Sequence, residues 1–101
     1  MGKKRTRRLR HEQSGSFSEL SAVPNPEGLV VVHTPSLLSW LQRAEQQKGS
    51  ALSPAEVQRI RDGAPAIALR PEQVEAMKAE RGHADIDPGD AWATWQEYKR
   101  A

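Results

Sequence analysis

The chain contains no cysteine, which removes disulfides, thiolate metal sites and a cysteine nucleophile together and favours a reducing compartment. Aromatic residues are few: three Trp, one Tyr and one Phe among 101 residues. Long apolar runs are missing as well. The longest, Leu29 to Val32, is four residues, against the roughly 20 of a membrane helix and the roughly 7 to 15 of a signal peptide's apolar stretch. The Arg7-Arg8 pair has the look of a twin-arginine signal, yet HEQSGSFSEL follows it where such a stretch would stand. A soluble, cytoplasmic protein is expected. No glycine-rich phosphate loop follows a strand-like segment, and no cofactor is expected.

Charge, by contrast, is concentrated. The first ten residues hold six cations, Lys3, Lys4, Arg5, Arg7, Arg8 and Arg10, and no anion, while the other ninety-one hold nine Lys/Arg against thirteen Asp/Glu. The formal +2 is thus a +6 segment joined to a body of −4. A segment of this kind binds polyanions through phosphate contacts and counterion release without reading a base, so it points to a partner class and to no target. KKRTRR would also serve as a nuclear-localisation patch, but the Ala- and Arg-rich remainder fits a bacterial or phage origin.

Residues 1–27 are expected to form a disordered basic arm and linker, because Phe17 to Asn25 is rich in Ser, Pro and Glu with little apolar periodicity. On this reading, truncation of Met1 to Ser16 leaves the thermal midpoint nearly unchanged. Residues 28–101 are left as one small domain, marginal alone at about 60 to 65% surface burial, so self-association or a protein partner would support it.

From Gly28 onward turn residues punctuate the chain at regular places. GLVVVH reads as a short strand. It ends at Thr34-Pro35, with Thr34 as a helix cap and Pro35 in the first helical position. The first helix runs to about Lys48 with Leu37, Leu38, Leu41 and Ala44 on one face and Trp40 beside it, and Gly49 stops it. Ser53 and Glu56 have capping-box spacing, with Leu52 and Val57 as a hydrophobic staple, for a second helix ending at Asp62-Gly63. AIAL after Pro65 is a second strand. Pro71 then opens a helix with Val74 and Met77 inward, and Gly82 closes it. Asp87-Pro88-Gly89-Asp90 starts a last helix bearing Ala91, Trp95 and Tyr98, with Trp92 adjacent.

The expected class is α+β and mostly helical, a β-α-α-β-α-α body with two short strands and an internal pseudo-repeat. The strands would pair across a local pseudo-twofold axis, or each would pair with another subunit.

Three groups of residues invite a chemical reading. HADIDPGD brings His83, Asp85, Asp87 and Asp90 within eight residues, but a calcium loop needs an oxygen ligand at Gly89, a glycine at Asp90 and a glutamate at Gln96. Capping by Asp87 accounts for the pattern, and no metal is expected. His33 stands at a strand end, where an imidazole can serve as a base near neutral pH, yet no serine or carboxylate at diagnostic spacing completes a triad. Trp40, Trp92 and Trp95 exceed what a small core hides, so they mark a candidate partner interface.

These readings support a noncatalytic binding or adaptor protein whose body docks a protein partner or itself while the arm contacts a polyanion. The chief alternative is a nucleic-acid-binding protein using the arm on phosphates. A small enzyme using His33 or the Asp85–Asp90 segment is the second.

Overall fold

A computed structural model describes residues 8–82 and 84–100. In chain order the elements are β1 (Ser14–Ser16), α1 (Phe17–Ser21), β2 (Val30–His33), α2 (Leu37–Lys48), α3 (Pro54–Gly63), β3 (Pro65–Leu69), α4 (Pro71–Arg81), a 3-10 turn (Pro88–Asp90) and α5 (Ala91–Arg100). The protein is therefore α+β and mostly helical, but with a three-stranded antiparallel sheet in the order β1-β3-β2 rather than a two-stranded ribbon.

The two anticipated strands pair with each other inside the chain, Val30 opposite Leu69 and His33 opposite Ala66. The outer edge of β2 is contacted at its two ends. Asn25 takes both backbone groups of Leu29, donating to its carbonyl at 2.6 Å and accepting its N–H at 2.8 Å. Arg81 Nη2 donates to the carbonyl of His33 at 3.0 Å. Filling the outward-facing groups at both ends blunts this edge against another chain.

Residues 8–27 depart from the expected disordered arm and linker. Leu9 is 1% exposed and its N–H donates to the Pro24 carbonyl at 2.8 Å. A turn closed by Gln13 N–H to the Arg10 carbonyl leads into β1. Ala68 then accepts from Glu12 N–H at 2.7 Å and donates to the Gln13 carbonyl at 2.9 Å, so two residues face one in a β-bulge. Glu12 has φ 67°, a left-handed conformation that glycine usually supplies in this type of bulge. Phe17, Ser18 and Glu19 wind into α1 under a complete capping box from Ser16, and Leu20 is buried. The added strand has no counterpart in the second half of the chain. From Val30 onward the elements run in the expected strand-helix-helix-strand-helix-helix order, although the last helix starts through a 3-10 turn where α3 starts directly.

The helix ends follow local chemistry in most places. Gly49 and Gly82 end α2 and α4 in left-handed conformations, φ 79° and 74°, where a side chain would be strained. Ser53 and Glu56 close the expected capping box on α3. Lys48 Nζ lies 2.6 Å from Glu56 Oε1. That contact first, then the Ser53 N–H, holds the Glu56 carboxyl down to about 2. The start of α2 differs from expectation: its cap is Ser36, which accepts from Ser39 N–H at 3.2 Å, two residues beyond Thr34.

Burial falls into two apolar clusters. One joins Leu37, Leu38 and Leu41 of α2 to Leu52, Val57, Ile86, Ala91 and Trp95. The other gathers Leu9, Leu20, Leu29, Ala66 and Ala68 on one face of the sheet, with Phe17, Val23 and Val31 at its margin. Helix α3 packs on α1, α2 and α5 and so bridges them. Among the described residues no helix is long and apolar enough to cross a membrane.

Candidate functional site

Of the six N-terminal cations, Arg8 and Arg10 are described and both are exposed; Lys3, Lys4, Arg5 and Arg7 lie outside the described residues. Arg8 and Arg10 flank the buried Leu9, so they stand on the surface at a determined place instead of on a tether. The residues that follow them reach the end of β3 and the start of α4. His11 Nε2 donates to Gln73 Oε1 at 2.7 Å, and the same oxygen accepts the backbone N–H of Arg70, the exposed residue preceding α4, at 2.9 Å. Glu12 and Glu72 are the exposed acidic residues of the two segments.

The residues with chemical potential meet at the opposite end of the sheet. His33 is 2% exposed. Its Nε2 donates to the Arg61 carbonyl at 2.8 Å, which places the proton of the neutral ring on that nitrogen. Its ring stacks on Phe17 with centroids 4.6 Å apart and planes at 10°, and Arg61 lies over the same phenyl ring at 5.7 Å. Burial pushes the His33 pKa below its ordinary value of 6.5. The Arg61 carbonyl and Asp85 pull it upward, and the Arg61 and Arg81 charges add to the downward effect.

Asp85 joins this end of the molecule to α2. Its two oxygens accept the N–H groups of Leu37 at 2.9 Å and Leu38 at 2.8 Å, and Oδ1 also accepts Ile86 N–H at 2.7 Å. Arg81 Nη1 lies 3.5 Å from Oδ2. A carboxylate at the positive end of a helix is favoured by both the unpaired amides and the helix dipole. Asp85 thus caps a helix that begins 48 residues earlier. Asp87 caps the 3-10 turn by accepting Gly89 N–H at 2.9 Å, as its spacing to Pro88 implied. Asp90 lies in the first turn of that same element. His83 lies outside the described residues. Among the described residues no three His, Asp or Glu side chains converge to hold a metal ion.

The tryptophans separate. Trp95 is core, 1% exposed, while Trp40 and Trp92 are half-buried. The Nε1 atoms of Trp40 and Trp95 are buried without a hydrogen-bond partner. Above Trp95 an open groove of about 870 Å³ runs between α2 and α5, with Gln42, Arg43, Gln46, Tyr98 and Lys99 on its sides. Tyr98 stacks on Trp95 at 5.8 Å and accepts from Gln42 Nε2 at 2.6 Å, and Lys99 pairs with Glu45.

The features that sequence reasoning missed are the Leu9 anchor, the β1–α1 segment and the long-range cap from Asp85. Ser16 and Glu19 have the same S-x-x-E spacing as Ser53 and Glu56, so α1 carried a recognisable signal. A cap from a residue 48 positions away has none. No protein-family model, curated protein or solved structure matches this chain.

Proposed function

We propose that this is a noncatalytic, cytoplasmic binding protein whose body docks a protein partner or a second copy and whose basic N-terminal segment contacts a polyanion. The observation that carries the polyanion half is the exposure of Arg8 and Arg10 on either side of a fully buried Leu9. Cations held at a defined site lose less conformational freedom on binding than cations on a loose tail. The body half is supported by the half-buried Trp40 and Trp92 and by the exposed Tyr98 beside the α2–α5 groove.

An enzymatic reading finds less support. His33 is almost wholly covered and committed to the Arg61 carbonyl, and Asp85 is engaged by three backbone N–H groups. General acid-base work requires a titrating group within reach of substrate.

The test is binding of the whole protein to labelled heparin, RNA and DNA over a range of salt concentrations. A variant with Lys3, Lys4, Arg5 and Arg7 replaced by Ala is measured beside it. Micromolar binding at physiological salt that weakens in the variant and falls steeply with salt is expected. Failure to bind any of the three would overturn the polyanion half. Sedimentation equilibrium and affinity capture test the body half.

A further inference from the structure

The N-terminal segment does not end where its run of charge ends; it is joined to the start of α4. Gln73 Oε1 accepts from His11 Nε2 and from Arg70 N–H together, at 2.7 and 2.9 Å, so the segment and the start of α4 share one hydrogen-bonding atom. The main chain fixes the same junction a second time, since Ala68, two residues before Arg70, exchanges hydrogen bonds with Glu12 and Gln13. Arg8, Arg10 and Arg70 are all exposed, and none forms a salt bridge among the described residues. We infer that these three arginines form one composite surface for the phosphates of a nucleic-acid backbone. This rests on the polyanion half of the proposed function and names its ligand and the body's share in holding it.

Nucleic acid is favoured over a lipid surface by two observations. The cations at the junction are arginines, whose planar forks donate to two phosphate oxygens at a time. Stable anchoring on a membrane surface adds an inserted apolar group to a basic patch. Here the apolar residue between Arg8 and Arg10 is turned into the core, and among the described residues the exposed large hydrophobic is Tyr98, on α5. Glu12 and Glu72 oppose the field locally and set its strength.

The experiment measures binding of the full chain to a labelled 20-nucleotide single strand and a 20-base-pair duplex as a function of salt. Arg70→Ala, Glu72→Gln and the four-residue Lys3/Lys4/Arg5/Arg7 alanine variant are compared with the parent. The N–H of Arg70 that meets Gln73 is a backbone group, so Arg70→Ala keeps that hydrogen bond and folding is checked by an unchanged melting curve. Loss of one phosphate contact lowers the slope of log K against log salt by about 0.7 on the single strand or about 0.9 on the duplex. Arg70→Ala is expected to show such a drop with a several-fold loss of affinity, and Glu72→Gln a gain. Unchanged affinity and slope in Arg70→Ala, beside clear weakening in the four-residue variant, would overturn the composite surface and leave the polyanion reading standing. Absence of binding to both nucleic acids by the parent chain, with binding to heparin or to vesicles containing phosphatidylserine, would overturn the choice of nucleic acid. Absence of binding to any of these would remove the proposed polyanion function itself.

Discussion

Two aspartates two residues apart in sequence carry different weights. Asp87 caps a three-residue turn through one amide, and Asp87→Ala is expected to cost about 1 kcal/mol. Asp85 serves Leu37, Leu38 and Ile86 at once and neighbours Arg81. Asp85→Ala therefore leaves part-buried donors unsatisfied and should cost about 2 to 3 kcal/mol, measured by urea denaturation; equal costs for the two variants would refute the long-range cap. His33 sets a pH response. Its folded pKa lies below 6.5 because burial disfavours the imidazolium, so below 6.5 the unfolded chain takes up the proton more readily. Its contribution is complete above pH 6.5 and is lost as the pH falls through the folded value. The carboxyls of Glu45 and Glu56 are also lowered, by Lys99 and Lys48 in turn, and their contributions disappear only below their ordinary 4.5. Melting temperature should accordingly begin to fall just below pH 6.5, in a step that His33→Gln removes.

Among the elements, α2 through α5 were readable because their stops, capping boxes and prolines act within four residues of the helices they bound. The Ser14–Ser16 strand was not, since Ser-Gly-Ser has no β-branched side chain and is ordered by pairing with residues some fifty positions later. Leu9 was hidden for the reverse reason: one apolar residue among six cations reads as incidental until its pocket is built from Leu20, Leu29, Ala66 and Ala68. His33 and Asp85 were both noticed, but the contacts that define their roles come from α2, α3 and α4 and leave no local trace. Truncations that remove residues 1–7 and residues 1–16 are compared by their thermal midpoints. Removal of residues 1–16 eliminates the Leu9 burial, β1 and the α1 capping box together, and should lower the midpoint by more than about 10 °C. Equal midpoints for the two truncations would show that this segment is not integrated with the body.

Across the whole molecule the two apolar clusters are unequal. The α2–α3–α5 cluster contains Leu37, Leu41, Val57 and Trp95, all at 1% exposure or less, whereas the sheet cluster relies on Leu9, Leu20 and Leu29 reaching two alanines. Larger side chains bury more area, so the sheet-side segment should open first. Native-state hydrogen exchange is expected to show lower opening free energies for the Glu12 and Phe17 amides than for those of Leu41 and Trp95, and Leu41→Ala should cost about 2 to 4 kcal/mol and speed exchange throughout. Uniform opening energies in the parent would contradict the inequality. The strand order also has a consequence in time. Because β3 is central, β1 and β2 each have it as their only sheet partner among the described residues. During synthesis neither early strand can be paired until residue 69 has been made, and the first third of the chain waits for seconds at ordinary elongation rates. Throughout that interval Leu9 lacks Ala66 and Ala68, so Arg8 and Arg10 take up their places on the folded surface only after the central strand has been made.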